Sequence, residues 1–208
     1  MTILHPAYFP NVAFFSIYGK AKDVVFELQD NYQKQTYRNR AHICNDRGKH
    51  LLSIPIVHTK GADGRQLYKE VKLDNSYPWQ RQHWRTLETA YRTSPFFEFY
   101  EDEIRPLYEE KFELLIDFNL ASIEIICDCL QMDLVKNFTE EYVFEHRKDF
   151  RYLVNAKKEV PYDFPEYVQV FGDRHGFIPN LSILDVLFNL GPNTLEYLRN
   201  IEIDGSNA

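Results

Sequence analysis

Hydrophobic positions recur with a period of two at the start of the chain and with a period of three to four after residue 78. Thr2, Ile3 and Leu4 form a short run stopped by Pro6, which predicts a strand, since proline fixes φ and removes a backbone donor. Val24, Phe26 and Leu28 recur at every second position of residues 23–28 and predict another. Between them, Asn11 suits a helix cap ahead of Phe14, Phe15, Ile17 and Tyr18, and predicts a short apolar helix. Strand, loop, helix and strand in so short a stretch predict a βαβ unit. Ligands in such units gather beyond the carboxyl ends of the strands, where the loops 5–10 and 31–40 fall.

Residues 41–44 and 51–57 predict strands joined by a turn at 45–48, and residues 68–73 a further short strand. The polar stretch 59–66, with Gly61 and Gly64, is expected to be a mobile lid. Pro78 opens a helix whose buried face carries Trp84, Leu87 and Tyr91, ended by Pro95; a short helix over 97–104 follows. Pro106 is expected to open the longest helix, with Phe112, Leu115, Ile116, Leu120, Ile123, Ile126, Cys127 and Leu130 as its stripe. Residues 142–152 are rich in charge, and an aromatic loop begins at 161. Ser182 with Asp185 predicts a capping box for a helix closed by Gly191-Pro192, before a last helix near 194–199. The expected fold class is α/β: an N-terminal βαβ-containing sheet followed by a mainly helical C-terminal half. The chain reads as a single domain over 1–203, mainly sheet to 75 and mainly helical from 76, with a flexible tail at 204–208.

The formal net charge of −7 over 208 residues argues against general nucleic-acid binding, which needs a broad basic face. Cys44, Cys127 and Cys129 make no disulfide framework; two positions apart on a helix, the last two point in different directions. Reduced thiols, the absence of a basic and apolar leader, and the absence of a window of about 18 apolar residues make a cytoplasmic protein without a membrane span the expectation. The first glycine is Gly19, so the first loop is neither a dinucleotide fingerprint nor a phosphate-binding P-loop. Neither a nucleophile elbow nor a zinc-binding spacing occurs, and the sequence specifies no cofactor, no metal and no oligomeric state.

Against that acidic background residues 31–40 stand out. They contain no acidic and no aliphatic residue, but Lys34, Arg38 and Arg40 with Asn31, Gln33, Gln35 and Asn39. Arginine grips phosphate or carboxylate through paired hydrogen bonds and lysine adds a point charge. This segment is therefore expected to hold an anionic small molecule, with Arg38, Arg40 and Lys34 on the charge and Asn31, Gln33 and Asn39 orienting it. The competing reading is an edge strand whose charges discourage aggregation. Replacing Arg38 and Arg40 by alanine is expected to leave folding nearly intact. Tyr8, Tyr91, Arg85 and Arg174 are candidate walls and contacts of the same pocket, and His83 and His175 are candidate proton carriers, since imidazole titrates near neutrality.

Several elements together resemble the WbqC-like family of bacterial proteins. They are residues 7–10, residues 31–34 with 38–40, His83-Trp84-Arg85 with Ala90-Tyr91, residues 95–97, and residues 181–185 with Gly191-Pro192. Members more usually begin with His-Gln-Pro, where this chain has Leu4-His5-Pro6. The family takes its name from surface-polysaccharide gene clusters, so the resemblance implies a transferase of envelope glycan synthesis acting on a nucleotide-sugar or an activated acyl group. The alternative is a non-catalytic binding or scaffolding protein. The first loop is also similar to that of nucleotidylyltransferase-like folds, although Phe14-Phe15 stand where their second histidine lies.

Overall fold

Three residues suffice for the first strand, β1 (Thr2–Leu4), because everything around them is apolar or paired. In the computed structural model, which describes residues 1–59, 65–157 and 162–203, β1 runs parallel to β2 (Val24–Phe26) in the register Ile3 to Val25. Helix α1 (Val12–Lys20) joins them, capped by Asn11, whose Oδ1 accepts from the Phe14 N–H at 3.0 Å. The βαβ unit is thus present. Its outer edges are closed by residues from much later in the chain. Ile3 bridges to Asp149 and Phe26 to Phe138, both parallel.

Two antiparallel pairs complete the sheet structure: β3 (Arg40–Asn45) with β4 (Gly48–Ser53), and β5 (Ile56–Val57) with β6 (Lys72–Leu73). The first hairpin turns through Asp46-Arg47, with Gly48 at φ +98°, a conformation that glycine adopts without a Cβ penalty. The expected strand at 68–73 is mostly a 3-10 turn, Tyr68–Glu70. The Tyr68 N–H donates to the Asp30 carbonyl at 2.9 Å and its hydroxyl to that of Pro6 at 2.8 Å; these two anchors bend the backbone before β6. The expected lid falls largely on residues 60–64, which lie outside the described residues, as does the tail at 204–208.

The helical half departs from the expected boundaries at two places: a single helical turn, Gly172–His175, falls within the expected aromatic loop, and the longest helix begins later than expected. Pro106 lies inside α3 (Phe97–Glu109) rather than opening the longest helix, α4 (Leu115–Leu130). Residues 111–114 lie outside both helices, with Leu114 extended, because Leu73 donates to the Glu113 carbonyl and Leu115 to that of Val71. Pairing to β6 overrides a stripe that is helical by period alone. The remaining helices are α2 (Trp79–Tyr91), α5 (Gly172–His175), α6 (Ile183–Leu190) and α7 (Thr194–Asn200).

The high aromatic content resolves into packed rings. Tyr8, Phe9, Trp79, His83, Tyr108 and Phe118 form one cluster. Phe14, Tyr18 and Phe26 stack nearly parallel in a second. Such pairs add roughly 0.5–1.5 kcal/mol beyond the area they bury. All three cysteines are unpaired. Ser182 caps α6, but Asp185 does not reach back to complete a box. Its buried carboxylate turns inward and accepts from the Tyr91 hydroxyl at 2.7 Å, the Tyr167 hydroxyl at 2.6 Å and Gln169 at 2.9 Å. No helix among the described residues is long and apolar enough to cross a membrane.

Candidate functional site

Beyond the carboxyl ends of β1 and β2 the chain places His5, Glu27, Asp30 and Arg38 together. The His5 Nδ1 lies 3.2 Å from the Glu27 carbonyl, which can only accept, so Nδ1 carries the proton and Nε2 is left as an acceptor. Arg38 Nη2 donates to that Nε2 at 2.9 Å and to Asp30 Oδ2 at 2.6 Å. Burial and the Arg38 charge both push the His5 pKa down, in agreement with a neutral ring. For Asp30, burial alone would raise the pKa, but the hydrogen bond and charge of Arg38 outweigh it and hold the carboxyl at about 2. Asp30 is therefore a fixed carboxylate, too acidic to serve as an efficient base near neutral pH.

Arg38 is 1% exposed. Its guanidinium lies over the Tyr68 ring, 5.1 Å from the centroid, and its Nε and Nη1 have no hydrogen-bond partner among the described residues. On the far side, Arg151 is forked on Asp149 through Nε and Nη2 and reaches the fully buried Glu27 through Nη1 at 3.4 Å. The Glu27 carboxylate is also bonded by the Gln29 N–H, the Thr139 hydroxyl and the Val143 N–H. This network ties residues 139–151 to the end of β2.

Two cavities open around this cluster. The larger, about 620 Å³, is lined by residues 30–34 on one side and by His58, Thr59, Arg65 and Gln66 on the other. The Gln66 carbonyl accepts from the Tyr32 N–H, and the Gln66 side chain bonds the backbone at Val57 and Thr59, which fixes the two walls relative to each other. The smaller cavity, about 280 Å³, lies between His5, Asp30, Gln33, Thr36 and Arg38 and the segment carrying Tyr142, Asp149, Arg151, Tyr152 and Asn155. A volume of several hundred cubic ångströms is in the range of small-molecule sites.

The residues singled out in the sequence do not all meet here. Asn31, Gln33 and Lys34 line the larger cavity, and Gln33 and Arg38 the smaller. Asn39 is buried between the Tyr32 hydroxyl and the Ile54 carbonyl, and Arg40 opens β3 without lining either cavity. Tyr8 is fully buried; its hydroxyl bonds Tyr108 and His83 Nδ1, at 2.8 and 2.9 Å. Tyr91 is spent on Asp185 and on the Cys44 N–H. Arg85 points to shallow depressions on another face. On α5, Arg174 stacks on Phe171, and His175 Nε2 donates to the Asp46 carbonyl at 2.9 Å. Neither His83 nor His175 lines a cavity at the cluster. Asp30, His58, Arg65, Asp149 and Arg151 carry no such signal in the sequence. Asp30 could have been found as the first residue before the donor-rich stretch, sitting where strand β2 hands over to it.

Burial holds His83 at about 4, and burial with Lys49 and Arg40 nearby holds His42 at about 4. Both lie below the ordinary 6.5, so between these values the unfolded chain takes up protons that the fold refuses. Stability is thus full above about 6.5 and is lost as pH falls towards 4. For His83 alone the loss is on the order of 3 kcal/mol. Denaturant unfolding at several pH values should show this slope, and His83→Gln, which can still bond Tyr8, should flatten it. Identical pH profiles for the two proteins would refute the assignment.

Three comparisons bear on identity. The model of the WbqC-like protein family matches residues 5–160 and 157–197. An uncharacterized protein of Mycobacterium tuberculosis, Rv1507c, is 27% identical over 230 residues, covering 96% of this chain and 97% of the relative. No solved structure matches the chain.

Proposed function

The chain belongs to the WbqC-like protein family, and from that premise we propose that its larger cavity binds an anionic small molecule, a nucleotide-sugar or an activated acyl group, as the substrate of a transferase. The observation that carries this reading is the lining. Lys34 and Arg65 face the cavity and form no ion pair among the described residues, so their charge is available to a ligand. Asn31, Gln33, Thr59 and Gln66 stand beside them as uncharged donors and acceptors that suit hydroxyl and amide groups. The setting in surface-polysaccharide or envelope glycan synthesis rests on the family resemblance alone.

One observation favours the second reading, a binding or scaffolding protein without turnover. The two histidines expected to carry protons stand away from both cavities, and Asp30 is held too acidic to replace them.

A thermal-shift series with uridine diphosphate-glucose, uridine diphosphate and acetyl-coenzyme A tests the proposal. A ligand at a hundred times its Kd adds about 2.7 kcal/mol, which for a chain of this size raises Tm by roughly 5–10 °C. The double variant Lys34→Ala/Arg65→Ala should keep the native Tm without ligand, because both side chains are exposed, and should lose the rise. If none of the three compounds shifts the native protein, or if the double variant responds like it, the proposal fails. Binding with no product formed from any donor would favour the non-catalytic reading.

A further inference from the structure

Asp30 and Gln33 line both cavities, so the two spaces share a wall. They differ in charge. Beside that wall the larger cavity presents Lys34 and Arg65. The smaller presents two carboxylates, Asp30 and Asp149, against two guanidiniums, Arg38 and Arg151, with Glu27 buried behind Arg151 to tip the balance negative. The smaller cavity is therefore poorly matched to a second anion.

Its lining also carries unmet bonding capacity. Nε and Nη1 of Arg38 lack an acceptor among the described residues, but both atoms are sealed from solvent and so from any occupant of the cavity. Asp30 Oδ2 is taken by Arg38, while Oδ1 accepts no hydrogen bond among the described residues. The Asp30 side chain remains 13% exposed, so a ligand can reach it. An occupant that satisfies Asp30 must bring a hydrogen-bond donor for the carboxylate. A volume of about 280 Å³ limits it to a molecule the size of one sugar ring or one amino acid.

We infer that the smaller cavity is a subsite for a small polar molecule bearing a primary amine, with its ammonium on Asp30. Amino sugars and α-amino acids share this chemistry. The inference deepens the preceding reading and rests on it for the idea that the neighbouring cavity holds a different, anionic ligand. A charge-assisted contact to a carboxylate is stronger than a neutral hydrogen bond, so the amine is the feature that the site selects.

Titration calorimetry of the native protein with glucosamine, glucose and glycine tests this. Glucosamine, glycine or both should bind at least about tenfold more tightly than glucose, and which of the two binds identifies the source of the amine. Asp30→Asn should remove most of that preference. Asn155→Trp, which adds bulk to the cavity lining outside the Asp30 network, should block binding and serves where Asp30→Asn does not fold. Affinity for glucose equal to that for both amines, no heat from either amine at millimolar concentration, or native binding by both variants would each overturn the inference. The Lys34→Ala/Arg65→Ala protein should bind the amine as the native protein does. A missing anion response with intact amine binding thus counts against the larger cavity alone, and the converse against the smaller.

Discussion

Arg38→Ala is expected to destabilise the protein by about 3–5 kcal/mol, because removing one partner of a buried ion pair leaves the other charge uncompensated. The carboxylate of Asp30 would lose its 2.6 Å partner, the His5 Nε2 its donor, and Tyr68 the guanidinium over its ring. This corrects the expectation from sequence that Arg38 and Arg40 could be removed together with little effect on folding. Arg40→Ala alone should cost no more than about 1 kcal/mol, since the side chain is half-buried and makes no ion pair among the described residues, in keeping with the small effects of substitutions outside paired networks. Arg38→Lys keeps the charge but loses the planar guanidinium that lies over Tyr68, and should fall between. Urea unfolding of the three variants reads the order directly. If Arg38→Ala proves as stable as Arg40→Ala, the buried cluster is not what holds the floor of the two cavities.

The second large effect is expected far from the cavities, at Gly191. Its φ is +53°, and a Cβ built there would sit 2.5 Å from the ring of Phe96. Gly191→Ala therefore combines a strained backbone with an overlap that the neighbouring ring must relieve, for roughly 2–5 kcal/mol in all. At 2–4 °C per kcal/mol for a chain of this length, Tm should fall by roughly 5–20 °C. Adding Phe96→Ala to Gly191→Ala should restore part of the loss, giving a coupling on the order of 1 kcal/mol or more. Gly172→Ala is the contrast, since nothing lies within 4 Å of its added Cβ and its φ is not positive. A Gly191→Ala protein that melts with the native one would sink the account.

These two positions show what could be read from the residues and what could not. The βαβ unit, the hairpin turn at 45–48, the Asn11 cap and the Gly191-Pro192 stop were legible, because each depends on neighbours within a few positions. The adjacency of the loops 5–10 and 31–40 was legible too, as a consequence of that unit. The fate of individual charges was not. Arg38 looks like Lys34 in a list of residues; one is sealed under Tyr68 and tied to Asp30, and the other faces a cavity. His83 looks like a base, but it meets a tyrosine hydroxyl from seventy-five positions away. Asp185 has capping-box spacing, yet its carboxylate is claimed by Tyr91 and Tyr167. The non-helical residues 111–114 were hidden for the same reason, since their partners in β6 lie some forty positions earlier. Local period reports which side of an element is apolar. It is silent on which distant group will neutralise a given charge.

The edges of the parallel pair have a consequence for how the protein is made. Ile3 exchanges backbone hydrogen bonds with Lys148 and Phe150, and Phe26 with Asn137 and Thr139. A nascent chain thus carries β1 and β2, exposed and apolar, until more than a hundred further residues have been synthesised. Contacts so distant in sequence close slowly, and unpaired strand edges are the surfaces on which incomplete chains associate. The floor of the smaller cavity is begun by residues 5–38 and finished only when residues 149–151 arrive. Chains that stop short of that point would carry the donor-rich loop but not the second wall of the smaller cavity.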